Sequence, residues 1–341
     1  MTGTTRKSEA DFFKGILTLG MILCHVLQFF GDEQAPGQRE IVQFVNLITF
    51  SGFLFSFGYI SYTAYLQKKF SAVWRKMLKN TGKLYAAYCL SGICFYALAE
   101  RKIFSTERIF DVLLLRKFPG WSEFLIAFAL MNLVNILLFS VLKRTNFITL
   151  AVSAALSFAA CFIPYGEIHG SIPALLVGSK DFVTFPILQY SVYFVAGVLF
   201  AKQNLWEKKR TYLIGAVPTL GTLLFLCLTG DMPGRFPPHF LYIFGASFVV
   251  VLYFWAAKKF SEKKNPVVGF LNLFGMNSLF ALLMSNLFIF GIAGSKFGYR
   301  DFGYAMVFYM VLIAVLWYLL YLVVRPQKMN LLQKGMNQND E

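Results

Sequence analysis

The sequence predicts an all-α, polytopic membrane bundle of about ten transmembrane helices, with both termini in the cytoplasm. Three observations carry this. Hydrophobic residues make up 57% of the 341 residues and charged ones only 14%, with a mean hydropathy of +0.59, a composition unlike that of a soluble enzyme. The apolar residues fall in runs about as long as a membrane helix, which needs roughly 20 residues to cross a core about 30 Å thick. The charges fall between the runs, and Lys and Arg are biased toward alternate segments.

In order, the runs are about 11–31, 41–66, 84–100, 121–142, 146–164, 183–203, 211–229, 239–257, 267–292 and 303–324. The third is the shortest, because Arg75 to Lys83 make the stretch before it read as a basic loop, 68–83, against anionic headgroups. The fourth and fifth are joined tightly by Lys143-Arg144. The segment 101–120 holds an apolar run, Ile109 to Leu115, that reads as an amphipathic helix lying on the membrane surface. Arg6-Lys7 precede a long span without a small-residue cleavage site, so the first helix is expected to stay in place. Nothing reads as a soluble domain or a repeat. The chain is therefore read as one transmembrane domain over 1–341 with short cytoplasmic tails.

With the N-terminus inside, the inner segments hold 21 of the 32 Lys and Arg residues and the outer ones ten, with Lys14 inside a span. This bias explains the net charge of +15 by topology and excludes a nucleic-acid partner. Cys24, Cys89, Cys94, Cys161 and Cys227 all lie in apolar runs and are expected to be free, buried thiols, with no metal-ligand spacing among them. The 39 Phe residues read as lipid-facing bulk. His169 and His239 fall in outer loops or at a helix edge and are expected to be solvated.

The first span, Asp11 to Gly31, is the chemically informative one. It carries Lys14 and His25, eleven residues apart, hence on one helix face and about 16 Å apart along the axis. An ionisable residue inside the membrane costs roughly 3 kcal/mol or more and reads as functional by default. Lys14 can snorkel to the near interface; His25 cannot, and must face protein or a water-filled cavity. A cation at the inner mouth and a deep imidazole suit an anionic cytosolic donor with a long thin arm, such as acyl-coenzyme A. The phosphates would rest near Lys14, with the thioester near His25 acting as general base. In straight helices, Ser51 of the second span and Asn277, Ser278 and Ser285 of the ninth bracket the depth of His25. Glu123, near the outer end of the fourth span, is placed to orient His25 or an acceptor hydroxyl. The plainer alternative makes His25 an interhelical hydrogen-bonder, Lys14 an anchor, and the Ser and Asn residues helix-packing positions.

Asp11-x-x-Lys14-Gly15 followed by His25 resembles the first-helix signature of the acyltransferase family three membrane proteins, Asp-x-x-Arg-Gly with a later His. Phe50-Ser51-Gly52-Phe53, Trp121-x-x-Phe124-Leu125, Arg235-Phe236-Pro237-Pro238 and Gly275-Met276-Asn277-Ser278-Leu279 are similar to further family elements, in the same order. The heparan-glucosaminide acetyltransferases share the transmembrane plan. The resemblance implies a ten-helix O-acyltransferase of the bacterial plasma membrane that modifies polysaccharide or other cell-envelope glycans. It implies His25 as a catalytic residue and Lys14 and Asp11 at the donor; Glu123 joins His25 as a catalytic candidate by its position in the fourth span. Ser51, Trp121, Asn277, Ser278 and Ser285 would lie at the substrate. Acyl-coenzyme A, most simply acetyl-coenzyme A, is the donor substrate, with no permanently bound cofactor and no metal. The acceptor is a glycan or lipid-linked hydroxyl; membrane lipids and a second copy, as a homodimer, are the other expected partners. Two positions depart from the family pattern: Lys14 replaces the arginine, and Ser285, followed by Asn286, stands where a late histidine is common. The reading from another class is a transporter or flippase for a lipid-linked or polar solute. The lack of a convincing inverted repeat and the scarcity of intramembrane carboxylates for ion coupling weigh against it. A third is a polytopic scaffold.

Overall fold

The computed structural model describes residues 8–101, 106–263, 265–295 and 297–337, with side chains as far as 323. Among these it contains helices and no strand. The helices are α1 (Ser8–Phe30), α2 (Gln38–Ser61), α3 (Phe70–Cys94), α4 (Thr106–Leu113), α5 (Glu123–Leu137), α6 (Phe139–Lys143), α7 (Phe147–Ala160), α8 (Ser171–Val177) and α9 (Ile187–Gln203). They continue with α10 (Lys209–Thr229), α11 (Phe240–Gly245), α12 (Ser247–Phe260), α13 (Pro266–Met276), α14 (Ser278–Ala293) and α15 (Phe302–Asn337). Each apolar run of the sequence is helical. Five helical stretches are long and apolar enough to cross a membrane: Ser8–Phe30, Gln38–Leu66, Lys209–Thr229, Phe240–Phe260 and Phe302–Val323. The bent pair α13–α14 passes the same test only when its two helices are taken together, as a broken span or a re-entrant loop. The chain is an all-helical, multi-pass membrane protein.

Four sequence expectations change on folding. The stretch 68–83 is a helix from Phe70 onward, not a loop. Val73, Met77 and Thr81 recur every four residues and are buried, while Arg75, Lys76, Lys79 and Lys83 share the exposed side, so a low mean hydropathy concealed an amphipathic face. The ninth run is not one straight helix. It breaks at Asn277, where α13 and α14 meet at 81° and the Asn277 side chain donates to the Leu273 carbonyl over 2.9 Å. That bend removes the straight-helix depth assigned to Ser278 and Ser285. The Phe excess is not simply lipid-facing: Phe13, Phe30, Phe55, Phe194, Phe254, Phe274 and Phe290 are all fully buried. The five cysteines are free, but only Cys24 and Cys89 are buried, and Cys227 is exposed. The 109–115 run is helical as far as Leu113, the end of α4, with an exposed Phe110 and a buried Val112, as an amphipathic segment requires; Leu114 and Leu115 lie in the turn that follows.

α1 is the hub, packed against α2, α12, α13, α14 and α15. Its crossing with α13 is a backbone contact: a Cβ on Gly15 would collide with the Leu271 carbonyl, and one on Gly275 with that of Asp11. α2 and α9 cross in the same way through Gly58 and Gly197. Such crossings suit a membrane, where helix association depends on van der Waals packing and close backbone approach. Between them lies an aromatic cluster. Phe13 meets Phe55 and Phe254 edge-on at 6.1 and 5.8 Å, and Phe55 meets Phe200 at 4.9 Å. Each such pair adds about 0.5–1.5 kcal/mol beyond area burial. These contacts fix the rotation of α1, and hence where His25 points.

Candidate active site

His25 is buried at 7% exposure and lines a chamber of about 350 Å³ with Gln28, Asn46, Trp121, Glu123 and Arg235. Its Nδ1 lies 3.0 Å from the Asn286 side-chain oxygen. The other end of that amide fixes the assignment. Asn286 Nδ2 is 3.1 Å from the Trp121 carbonyl and 3.2 Å from Ser91 Oγ. A carbonyl only accepts, so the amide must present nitrogen to Trp121 and oxygen to His25. His25 therefore donates through Nδ1–H, and in the neutral ring the lone pair resides on Nε2. Ser122 Oγ donates to Ser91 Oγ over 2.8 Å, completing a polar chain from α3 to α14.

Trp121 reaches both sides of this chain. Its indole N–H donates to Gln28 Oε1 over 2.9 Å, and Gln28 sits one turn after His25 on α1. Its backbone is left-handed, with φ of 60°. A bulky residue is rarely held there except where surrounding contacts determine it. The strained turn presents the Trp121 carbonyl to Asn286 and starts α5 at Glu123. Glu123 is buried at 8% exposure, and its Oε2 has no hydrogen-bond partner among the described residues. Arg235 stands opposite in sign on the same lining. Its guanidinium lies 5.0 and 4.6 Å from the rings of Phe185 and Phe236, and its Nε has no hydrogen-bond partner among the described residues. The chamber thus combines a base, a carboxylate and a cation with unused hydrogen-bonding capacity inside an apolar wall. That arrangement can deprotonate a hydroxyl and hold polar groups around it.

Lys14 lies elsewhere. It pairs with Asp11 at 3.2 Å and lines a second chamber of about 200 Å³ with Ser278 and aromatic residues of α2 and α5. Ser278 is the first residue of α14, so the positive end of that helix adjoins the same space. Of the residues singled out from the sequence, His25, Glu123 and Trp121 come together in one chamber, and Lys14 and Ser278 in the other. Ser51, Asn277 and Ser285 line neither chamber: Ser51 is buried, Asn277 caps the α13–α14 break, and Ser285 donates back to the Leu282 carbonyl over 2.9 Å. Asn286, Ser91 and Gln28 were not singled out, and Arg235 only as part of a motif. Gln28 had a signal, since it shares the face of His25; Asn286 had only its polarity within an apolar run.

A multi-helix membrane bundle with a buried, oriented histidine and a carboxylate lining one chamber suits a membrane enzyme. A family model described as an acyltransferase domain matches residues 8–324, and the chain belongs to this family, acyltransferase family 3. No curated protein and no solved structure matches the chain. The protein is a membrane acyltransferase.

Proposed function

We propose that the enzyme moves an acyl group, most simply acetyl, from cytosolic acyl-coenzyme A to a hydroxyl of an extracytoplasmic or lipid-linked glycan. The setting is the bacterial plasma membrane, crossed ten times with both termini inside. The observation that carries this reading is the His25–Asn286 contact, which holds the ring in the tautomer a general base needs. Nε2 takes the proton of the acceptor hydroxyl as its oxygen attacks the thioester carbonyl. Collapse of the tetrahedral adduct breaks the carbon–sulfur bond, and the departing thiolate takes the proton back from the imidazolium. An ester and coenzyme A remain. Glu123 and Arg235 hold the acceptor, and Lys14 with the α14 N-terminus receives the donor's anionic end.

Calorimetric titration of the purified protein with acetyl-coenzyme A, with mass spectrometry for co-purified coenzyme A, tests the donor. Saturable binding is expected. Absence of heat and of bound coenzyme A would overturn it. Cysteine labelling from each side of the membrane, with native cysteines removed, tests the topology. An externally labelled C-terminus would overturn the orientation.

A further inference from the structure

The linings of the two chambers have one residue in common, Phe124. Its ring is enclosed at 2% exposure. On one side it stands 6.5 Å from the His25 ring, centroid to centroid. On the other it meets Phe128 edge-on at 6.4 Å; Phe128 in turn packs against Phe53 and Phe57 at 6.1 and 6.0 Å. These three line the Lys14 chamber. Lys14 and His25 are about 16 Å apart along α1, and Phe124 stands between the chambers that a molecule anchored at Lys14 and reacting at His25 would occupy. A phenyl ring suits that position, because it can change rotamer without breaking a hydrogen bond.

We infer that Phe124 is the gate of the donor passage: its ring separates the Lys14 chamber from the His25 chamber and swings aside to let the arm of acyl-coenzyme A through. This rests on the donor reading above, and it adds a residue that positions the thioester without touching the transferred proton. The closed ring also keeps the His25 chamber sealed from the donor side when no donor is bound.

The test uses the nucleophiles of the His25 chamber as reporters. Inside-out membrane vesicles holding the full-length protein are treated with bromoacetyl-coenzyme A, which does not cross the bilayer. A thiol at Cys24 or Nε2 of His25 displaces bromide, forming a carbon–sulfur or carbon–nitrogen bond and releasing bromide and a proton. Peptide mass spectrometry reads the rate. Wild type should be alkylated in the chamber. Phe124→Trp should slow alkylation by about tenfold and Phe124→Ala should speed it by about tenfold, a change of about 1.4 kcal/mol in the barrier to passage. Bromoacetamide, which crosses the membrane without the passage, should modify all three proteins alike and so shows that the chamber is intact. Equal bromoacetyl-coenzyme A rates in the three proteins would overturn the gate. So would bound probe with no chamber residue modified, or bromoacetamide rates that change in parallel. If purified wild type gives no heat with bromoacetyl-coenzyme A, the donor reading falls and the gate with it.

Discussion

His25 Nδ1 and the Asn286 side-chain oxygen are 3.0 Å apart, and Asn286 is held in the opposite sense by Trp121 and Ser91. A hub helix, a broken helix and a strained turn thus converge on one imidazole. An amide does not ionise at neutral pH, so Asn286 orients the ring without competing for its proton.

His25 itself is the first test. If Nε2 is the base, His25→Ala and His25→Gln should both fold and still bind acetyl-coenzyme A, since the donor's anionic end is held about three turns away. Transfer should fall by roughly 10² to 10⁴. Gln can replace a hydrogen bond but cannot accept a proton to become a cation at neutral pH. A His25→Gln protein with near-normal transfer would leave the histidine a packing residue.

Asn286 is expected to act through the tautomer. Asn286→Ala leaves Nδ1–H and the Trp121 carbonyl without their partner, a loss of about 1–3 kcal/mol, and transfer should fall by roughly tenfold to a hundredfold. Asn286→Asp accepts from His25 but cannot donate to Trp121, so it should rescue part of the rate while lowering the melting temperature. Rates equal to wild type in both variants would make the contact incidental.

Lys14 is the test of the donor end. Lys14→Ala should weaken acetyl-coenzyme A binding by about tenfold or more, the share of a charge-assisted hydrogen bond. Lys14→Arg should preserve or tighten it, because a guanidinium forks onto phosphate. Calorimetry on the three purified proteins decides; identical affinities would reduce Lys14 to an anchor paired with Asp11.

Much of this was legible in the chain. The apolar runs located the helices because a membrane helix needs length and hydrophobicity and little else. The His25–Lys14 spacing put both on one face of α1. Glu123 was found because a carboxylate is conspicuous in such a run, and Trp121 because Trp121-x-x-Phe124-Leu125 resembles a family element. What could not be read were faces and breaks. In lipid both sides of a helix are apolar, so the pattern that separates core from surface in a soluble protein is absent; buried Phe254 and exposed Leu224 look alike. The break at Asn277 is hidden because Gly275-Met276-Asn277-Ser278 is apolar enough to continue a span. With the break unseen, straight-helix arithmetic favoured Ser285, and the neighbouring Asn286 makes the contact. Arg235 appeared only as an outer charge within the Arg235-Phe236-Pro237-Pro238 motif, because its return into the chamber depends on tertiary packing.

The α1–α13 crossing predicts a positional effect at Gly275. A methyl there collides with the Asp11 carbonyl, which is backbone and cannot rotate away. Gly275→Ala should therefore lower stability by about 1–3 kcal/mol, as overpacking does, read as a reduced melting temperature in detergent. Gly269 on the same helix has open space beyond its Cα and should tolerate Ala. An equal melting temperature for Gly275→Ala would mean that the crossing relaxes freely.

Arg235 offers the sharpest test of the acceptor side. It places a cation in the chamber of His25 and Glu123, is stacked on Phe185 and Phe236, and keeps an unused Nε donor. A group held this way stabilises either an acceptor's polar substituent or the oxyanion of the tetrahedral adduct. The two roles separate kinetically. Arg235→Lys keeps the charge but loses the planar stack and the fixed fork of donors; Arg235→Gln keeps a donor without the charge. If the residue binds the acceptor, both variants should raise the acceptor KM and leave kcat nearly intact. If it stabilises the oxyanion, Arg235→Gln should lower kcat by roughly 10² to 10³, the usual loss of one oxyanion donor, with little change in KM. Acetyl-coenzyme A affinity should be unchanged in either case, because the donor's charged end sits in the other chamber. Loss of donor binding in Arg235→Gln, with the protein still folded, would assign Arg235 to the donor and reverse the direction in which the two chambers are used.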